Sequence, residues 1–532
     1  MTAKRALVVA SLAVLVAVAL APLAVLFGAS FFPEGGPITL GAYGKVLASG
    51  RQWILLWNSL VVSASTTALA LLVGVPLAFL TARTDLPLRR AYSFLYAVPI
   101  FIPPYVVAIC WRYFVGDSFG VHAVVEKWLG LSEPLWKAHG YALCSFYMGL
   151  AMFPLVTLST RASLLSADPA LDEAALIARG RRPAATKVAL RLATPGIVAG
   201  GSFVFLFALS EFGVPNLLMI NTYAIEVYSQ FKAFYDLDAA TASSVPLLIL
   251  ACLPLAAMRL VERNRRFALA RTERPPFTYR LGRARWPAFF FATAALLLGV
   301  GVPVVSLFVV AGPFANYRKA IALTGDDFLN SIEFAAVAAT AATVLGFALA
   351  YAAARTRGRG LAGSIDVLSI LPFAIPAGVL GIGFIRLWNR PGAFNLVYST
   401  GAIVVLGFVA RFVAFAVRAG SAALRHAPEA YEESAAVAGV PFFKRFARIA
   451  ARLSFRGIVV AWIIVFVLSL GELNLAILVA PAGGQTLSLR IFNMIHFSYN
   501  DLVAALCLLL VGLAVLPVAV FALAFGRKPE VR

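Results

Sequence analysis

The sequence predicts an all-α membrane protein of about twelve transmembrane helices in two tandem six-helix repeats. Three observations carry this. The chain is 61% hydrophobic and 13% charged, with a mean hydropathy of +0.88, far outside the range of soluble domains. Its apolar residues fall into runs long enough to cross a bilayer core of about 30 Å. Its two halves agree residue by residue at nearly constant offsets.

In chain order the runs lie at roughly 6–28, 56–82, 91–115, 140–162, 196–219, 240–260, 286–311, 330–354, 363–388, 400–418, 457–480 and 502–525. The first follows Lys4 and Arg5 and is too long for a cleaved signal, so it is expected to stay as a span. If the N-terminus is cytoplasmic, 33 of the 45 Lys and Arg residues fall in cytoplasmic segments or within two residues of them, the bias of the positive-inside rule. Both termini are then cytoplasmic. The densest basic cluster, Arg259 to Arg285, contains Pro275-Pro276 and reads as a linker. It divides the chain into a first repeat over 1–262, a basic cytoplasmic linker over 263–285 and a second repeat over 286–532.

The repeats are visible in single residues. Asn58-Ser59, Gly74, Ala78 and Ala82-Arg83-Thr84 match Asn330-Ser331, Gly346, Ala350 and Ala354-Arg355-Thr356 at an offset of 272, and Pro99 and Pro103 match Pro372 and Pro376 at 273. Six spans per repeat is an even number, so both repeats enter on one side and the pseudo-twofold axis runs along the membrane normal. The paired prolines break the third and ninth spans and free carbonyls that only protein or a wet cavity can satisfy. A gate and a static packing kink are both compatible with them.

A polar, basic insertion follows the fourth span, over 168–196, and returns after the tenth, over 427–457. Pro169 and Pro428 suit the first turn of a helix, and Gly180 and Gly439 suit the left-handed residue that stops one. Pro183 and Pro441 restart the chain. Pro169/Pro428, Glu173/Glu432 and Gly180/Gly439 match at an offset of 259. Ala174, Ala175 and Ala178, like Ala435, Ala436 and Ala438, give a small-residue face that another surface can approach. Arg179, Arg181, Arg182 and Lys187, like Lys444, Arg445 and Arg448, keep the segment out of lipid. A basic segment lying on anionic lipid is the plainer alternative, but it needs no matched Pro, Glu and Gly in two places.

Glu211 and Glu472, equivalent at an offset of 261, fall inside the fifth and eleventh runs, where a carboxylate faces a cavity or a partner. Arg112, Arg386 and Arg411 are the candidate partners. If the acids are unpaired they line a route for a cation; if paired they form a latch. The remaining composition excludes other chemistry. There is no GxxxxGK[ST] loop for ATP. Cys110, Cys144, Cys252 and Cys507 lie in apolar runs and read as inert buried thiols, and the histidines are scattered, so no metal site is expected. The net charge of +21 is spread in clusters between spans rather than along one face, which argues against nucleic acid.

The insertions resemble the EAA loops of the membrane subunits of ATP-binding-cassette importers, in which Glu-Ala-Ala and a following Gly precede a hydrophobic segment ending near Leu-Pro. Glu173-Ala174-Ala175 and Gly180 carry the likeness in the first copy. The second departs from it, with Glu432-Glu433-Ser434 before Gly439, and neither copy has the Leu-Pro. The resemblance implies a type I importer permease fold in a bacterial inner membrane. It implies that Glu173, Ala174, Ala175, Gly180, Glu432 and Gly439 belong to loops that dock on two cytoplasmic ATP-binding subunits, and that a periplasmic binding protein delivers substrate. A chain carrying both halves needs no second permease chain, and ATP hydrolysis is expected in the separate subunits, with no catalytic residue or cofactor here. Glu211, Glu472, Pro99, Pro103, Pro372 and Pro376 become candidate pathway or gate residues. The layout, with SEFG and GELN after the loops, is most similar to ferric iron importers; thiamine, phosphonate and polyamine importers are close relatives. A secondary transporter driven by an ion gradient is the competing class, and it would not need twin loops. Because only the first copy keeps Glu-Ala-Ala, its Glu173 is expected to matter more than Glu432.

Overall fold

The computed structural model describes residues 2–32, 40–115, 140–180, 188–234, 236–263, 277–356, 359–495, 497 and 500–525. The first half runs α1 (Ala3–Ser30), α2 (Gly50–Arg83), α3 (Arg89–Phe101), α4 (Pro104–Val115), α5 (Gly140–Ser166), α6 (Pro169–Arg179), α7 (Ala189–Ser210), α8 (Gly213–Leu217), α9 (Tyr223–Lys232) and α10 (Asp238–Val261). The second runs α11 (Gly282–Ala311), α12 (Phe314–Arg355), α13 (Gly360–Ala374), α14 (Ala377–Trp388), α15 (Ala402–Leu424), α16 (Glu429–Val437), α17 (Phe455–Leu470), α18 (Ala476–Val479), α19 (Leu487–Ile495) and α20 (Asn500–Phe525). Among the described residues nine helices are long and apolar enough to cross a membrane, and three bent pairs bring the number to as many as twelve. The architecture is all-helical, as expected.

The proline breaks are sharper than kinks. α3 and α4 meet at 98°, and α13 and α14 at 97°. The cause is local: a proline drives its predecessor out of the helical region, and Ile102, before Pro103, sits at φ −106°, ψ 112°. Pro376 opens α14 from an extended conformation in the same way, whereas Pro372 is absorbed inside α13. The fifth and eleventh runs differ from expectation. Neither is one helix: α7 stops at Ser210 and α17 at Leu470, with Glu211 the first residue and Glu472 the second of the irregular stretch beyond.

α2 packs along α5 and α12 along α15, and at each crossing a glycine lets the backbones touch. A Cβ on Gly74 would lie 2.8 Å from the Phe153 carbonyl oxygen, and one on Gly346 would lie 2.5 Å from Ala416 Cβ. The first span of each half crosses over. α1 packs against α12, α14 and α15 of the second half, while α11 packs against α4 of the first. Of the cysteines expected to be buried, Cys110, Cys144 and Cys507 are, but Cys252 on α10 is exposed on the bundle surface.

Candidate functional site

The two inserted helices, α6 and α16, sit against the C-terminal ends of α2 and α12. Asp168 caps α6 by accepting the Ala170 amide at 2.9 Å, with Pro169 in the first turn. Gly180 ends α6 at φ 77°, ψ 175°, a region essentially reserved for glycine, so the chain leaves extended instead of left-handed as the spacing suggested. Gly439 (φ 78°) ends α16 in a Schellman turn, with the Gly439 and Val440 amides donating to the Ala436 and Ala435 carbonyls, both at 3.0 Å. Arg181, Arg182, Pro183 and Lys187 lie outside the described residues.

Each helix is bolted to the end of a long span by a buried ion pair. Arg83, the last residue of α2, meets Asp172 at 3.0 Å with both side chains fully buried, and also donates to the Leu164 carbonyl at 2.6 Å. Arg355, the last residue of α12, meets Glu432 at 3.0 Å and donates to the Ala427 carbonyl at 2.8 Å. A tyrosine hydroxyl completes each pair: Tyr279 donates to Asp172 at 2.9 Å and Tyr351 to Glu432 at 2.6 Å. Burial pushes the Asp172 carboxyl above its ordinary range, against the opposing pull of Arg83 and the Tyr279 hydrogen bond.

This geometry corrects the alignment of the loops. Asp172, not Glu173, is the spatial counterpart of Glu432, and the helix starts Asp168 and Pro428 share the same offset of 260. Glu173 is exposed and corresponds to the exposed Glu433. The identity of Glu173 with Glu432 arises because the stretch from the start of α6 at Asp168 to Gly180 is one residue longer than that from Pro428 to Gly439, so the offset slips by one before the terminal glycines. In the corrected register the outer faces agree. Ile177 is 88% exposed and Val437 91%, with Leu171 and Tyr431 exposed a turn and a half earlier. Ala174 stands exposed and Ala175 half-buried beside them. Aliphatic side chains are thus held out at equivalent points of the two helices; the repeated apolar position within a polar insertion was the signal for them.

Deeper in the bundle, Pro99, Pro103, Glu211 and Glu472 line one cavity of about 80 Å³, together with Asn474 and Phe412. Pro376 lies beside Asn474 and Phe212 in a smaller void next to it, and Pro372, though buried, lines neither. The acids cap the turns that follow them. Glu211 accepts from the Gly213 and Val214 amides at 3.1 and 3.3 Å, and Glu472 from the Leu475 amide at 3.0 Å. Their partners differ. Glu472 meets Arg411 at 3.1 Å, with both side chains buried, while Glu211 accepts from the Asn474 amide at 3.2 Å. Asn474 in turn accepts from the Phe212 amide at 3.0 Å, tying the halves together. Arg112 and Arg386 do not serve the acids: Arg112 is exposed, and Arg386 pairs with Asp238 across the halves. At the offset of 260 Arg411 corresponds to Ala151, which also lines the cavity, so of the two carboxylates lining it Glu472 is paired with a guanidinium and Glu211 with an amide.

Asn58-Ser59 and Asn330-Ser331 matched in sequence without an evident role. Asn58 donates to the Asn221 carbonyl and Asn330 to the Gly483 carbonyl, each at 3.0 Å. Ser59 accepts the Tyr223 amide at 2.8 Å and Ser331 the Leu487 amide, the first residues of α9 and α19. Each dipeptide thus pins the segment beyond a broken span to the same helix that carries the loop anchor, α2 or α12.

Residues 342–530 match the family described as binding-protein-dependent transport system inner membrane component. The chain is 23% identical over 432 residues to the ferric transport system permease protein FbpB of Actinobacillus pleuropneumoniae, covering 76% of this chain and 61% of that protein. To the Fe(3+)-transport system permease protein FbpB 2 of Haemophilus influenzae it is 23% identical over 465 residues, covering 84% and 85%. To the molybdenum transport system permease protein ModB of Mycobacterium tuberculosis it is 30% identical over 206 residues, covering 37% of this chain and 74% of that one. The chain therefore spans less than two thirds of the Actinobacillus protein's length and most of the other two.

Proposed function

Because the chain belongs to the inner membrane components of binding-protein-dependent transport systems, we propose that it forms the whole translocation pathway of an ATP-driven importer for ferric iron. The observation that carries this reading is the pair of equivalent helices α6 and α16, each presenting an aliphatic tip and each bolted through a buried ion pair to a long span. On this reading the loop end is cytoplasmic, two ATP-binding subunits seat on Ile177 and Val437, and a periplasmic binding protein delivers substrate at the far end. Glu173, Ala174, Ala175 and Gly180 belong to the first docking face, and Gly439 with the anchored Glu432 to the second. Residues 1–262 and 286–532 act as two permease repeats in one chain, joined by 263–285, in the bacterial inner membrane with both termini cytoplasmic.

Transport follows from how the parts are joined. Closure of the ATP-binding subunits moves α6 and α16, and the ion pairs pass that motion to α2 and α12. Those helices also hold the segments beyond Glu211 and Glu472, so the cavity between Pro99, Pro103 and the two acids opens to one side or the other while Pro376 flanks it. A substrate cation is favoured there because, of the two carboxylates lining the cavity, Glu472 is paired with a guanidinium and Glu211 with an amide. The molybdenum relative raises an oxyanion as the second reading, and that charge balance disfavours it.

The test is uptake of radiolabelled Fe(III) into liposomes holding the chain with its ATP-binding subunits and binding protein. ATP-dependent accumulation of iron and not of molybdate is expected. Accumulation of molybdate alone, or uptake driven by an ion gradient without ATP, overturns the assignment.

A further inference from the structure

The buried acid of each loop helix receives a tyrosine hydroxyl, but from different places. In the second half the donor is Tyr351, one turn before Arg355 on α12 itself. At the offset of 272 that relates Arg83 to Arg355, the residue matching Tyr351 is Phe79, which has no hydroxyl to give. Tyr279 supplies it instead. Its ring lies 5.8 Å from that of Phe79 and 4.8 Å from that of Phe277, and its hydroxyl reaches Asp172. The extended segment around it is held by backbone bonds to the end of α2. The Tyr279 amide donates to the Arg83 carbonyl at 2.7 Å, the Asp85 amide to the Tyr279 carbonyl at 3.3 Å, and the Leu281 amide to the Asp85 carboxylate at 2.7 Å. Tyr279 is thereby buried, although it comes from the segment between the halves.

We propose that the segment joining the two repeats is a working part of the first loop-helix site, with Tyr279 as the positioning residue of α6. The inference rests on the docking role given above to α6. It assigns to the linker a task that a tether does not have: a carboxylate buried with one guanidinium needs further donors, and the first half lacks its own. Docking on α6 therefore depends on residues 277–281 being seated, whereas the acid of α16 takes its tyrosine hydroxyl from its own half.

The test uses the full chain in nanodiscs, with hydrogen exchange of α6 and α16 and the binding of purified ATP-binding subunits as separate readouts. Tyr279→Phe keeps the ring and removes one hydrogen bond to a charged group, so exchange in α6 should rise roughly tenfold and the subunits should bind roughly tenfold more weakly, with α16 unchanged. Adding Phe79→Tyr should restore both. Asp85→Ala, which frees the segment without touching the ring, should give a smaller change of the same sign. The proposal is overturned if Tyr279→Phe leaves α6 exchange and subunit binding at wild-type values, if the change is equal in α6 and α16, or if Phe79→Tyr does not restore them. Asp172→Ala separates this from the docking reading: normal subunit binding by that variant defeats the docking role itself, while weakened binding beside a normal Tyr279→Phe defeats only the linker.

Discussion

Glu472→Gln removes one charge from a buried pair and leaves the Arg411 guanidinium without its carboxylate. Both side chains are almost wholly buried, 3.1 Å apart, and Arg411 lies 5.9 Å from the Phe373 ring and 5.8 Å from the Phe412 ring. At an effective dielectric constant of about 20, the Coulomb attraction at that distance is about 5 kcal/mol. The faces of two rings return only a small part of this, about 0.5–2 kcal/mol each. Breaking such a pair from one side is expected to cost about 3–5 kcal/mol. Glu211→Gln is the internal comparison, because Glu211 has an amide and two backbone N–H groups as partners and no arginine. Its loss should be about 1–3 kcal/mol, that of imperfectly remade hydrogen bonds. Unfolding titrations in mixed micelles should therefore rank Glu472→Gln well below Glu211→Gln, and Arg411→Met with Glu472→Gln should recover most of the difference. Equal losses for the two single variants, or a double variant as unstable as Glu472→Gln, would refute the division into a paired and an unpaired acid.

The same comparison predicts function in the opposite order: Glu211→Gln should cut Fe(III) uptake at least tenfold while the ATP-binding subunits still bind, and normal uptake would remove Glu211 from the pathway. Replacing Ile177 or Val437 by Asp should weaken binding of the ATP-binding subunits without lowering stability, since both side chains are almost fully exposed; unchanged binding of both variants would remove the docking face. Gly180→Val and Gly439→Val force a β-branched residue to positive φ, at about 1–3 kcal/mol each, so ATP-driven uptake should fall while the spans still insert. Because the Asp172 carboxyl is raised by burial, its protonated form contributes stability that is complete below the ordinary carboxylate value and lost as pH rises through the folded value. The wild type should then gain stability relative to Asp172→Asn as pH falls from about 7 toward about 4, and a widening deficit in that window would contradict the raised value.

What could be read from the sequence was whatever is decided locally. Runs of apolar residues fix where helices cross, and Ile102-Pro103 and Ile375-Pro376 fix where two of them break, because the steric demand of proline acts on its neighbour. The partners of buried charges depend on which helices meet, so Arg411 could be distinguished from Arg112 and Arg386 only in the folded chain. The loop register failed for a related reason. Matching Glu173 to Glu432 satisfied three identities at once, but the buried positions are set by Arg83 and Arg355, far away in sequence, and they select Asp172. The expectation that Glu173 outweighs Glu432 loses its basis, since one is exposed and the other is an anchor.

The exchange of first spans sets a timetable for synthesis. α1 emerges first, yet the surfaces that receive it, on α12, α14 and α15, begin at Phe314, about 300 residues later. At about 5–20 residues per second that is a wait of roughly 15–60 seconds, during which α10 of its own half is the main helix neighbour that α1 can find. A ribosome stalled or a message broken near the middle would thus release a half that has lost its first helix's seat and offers an empty one to any other copy's α11.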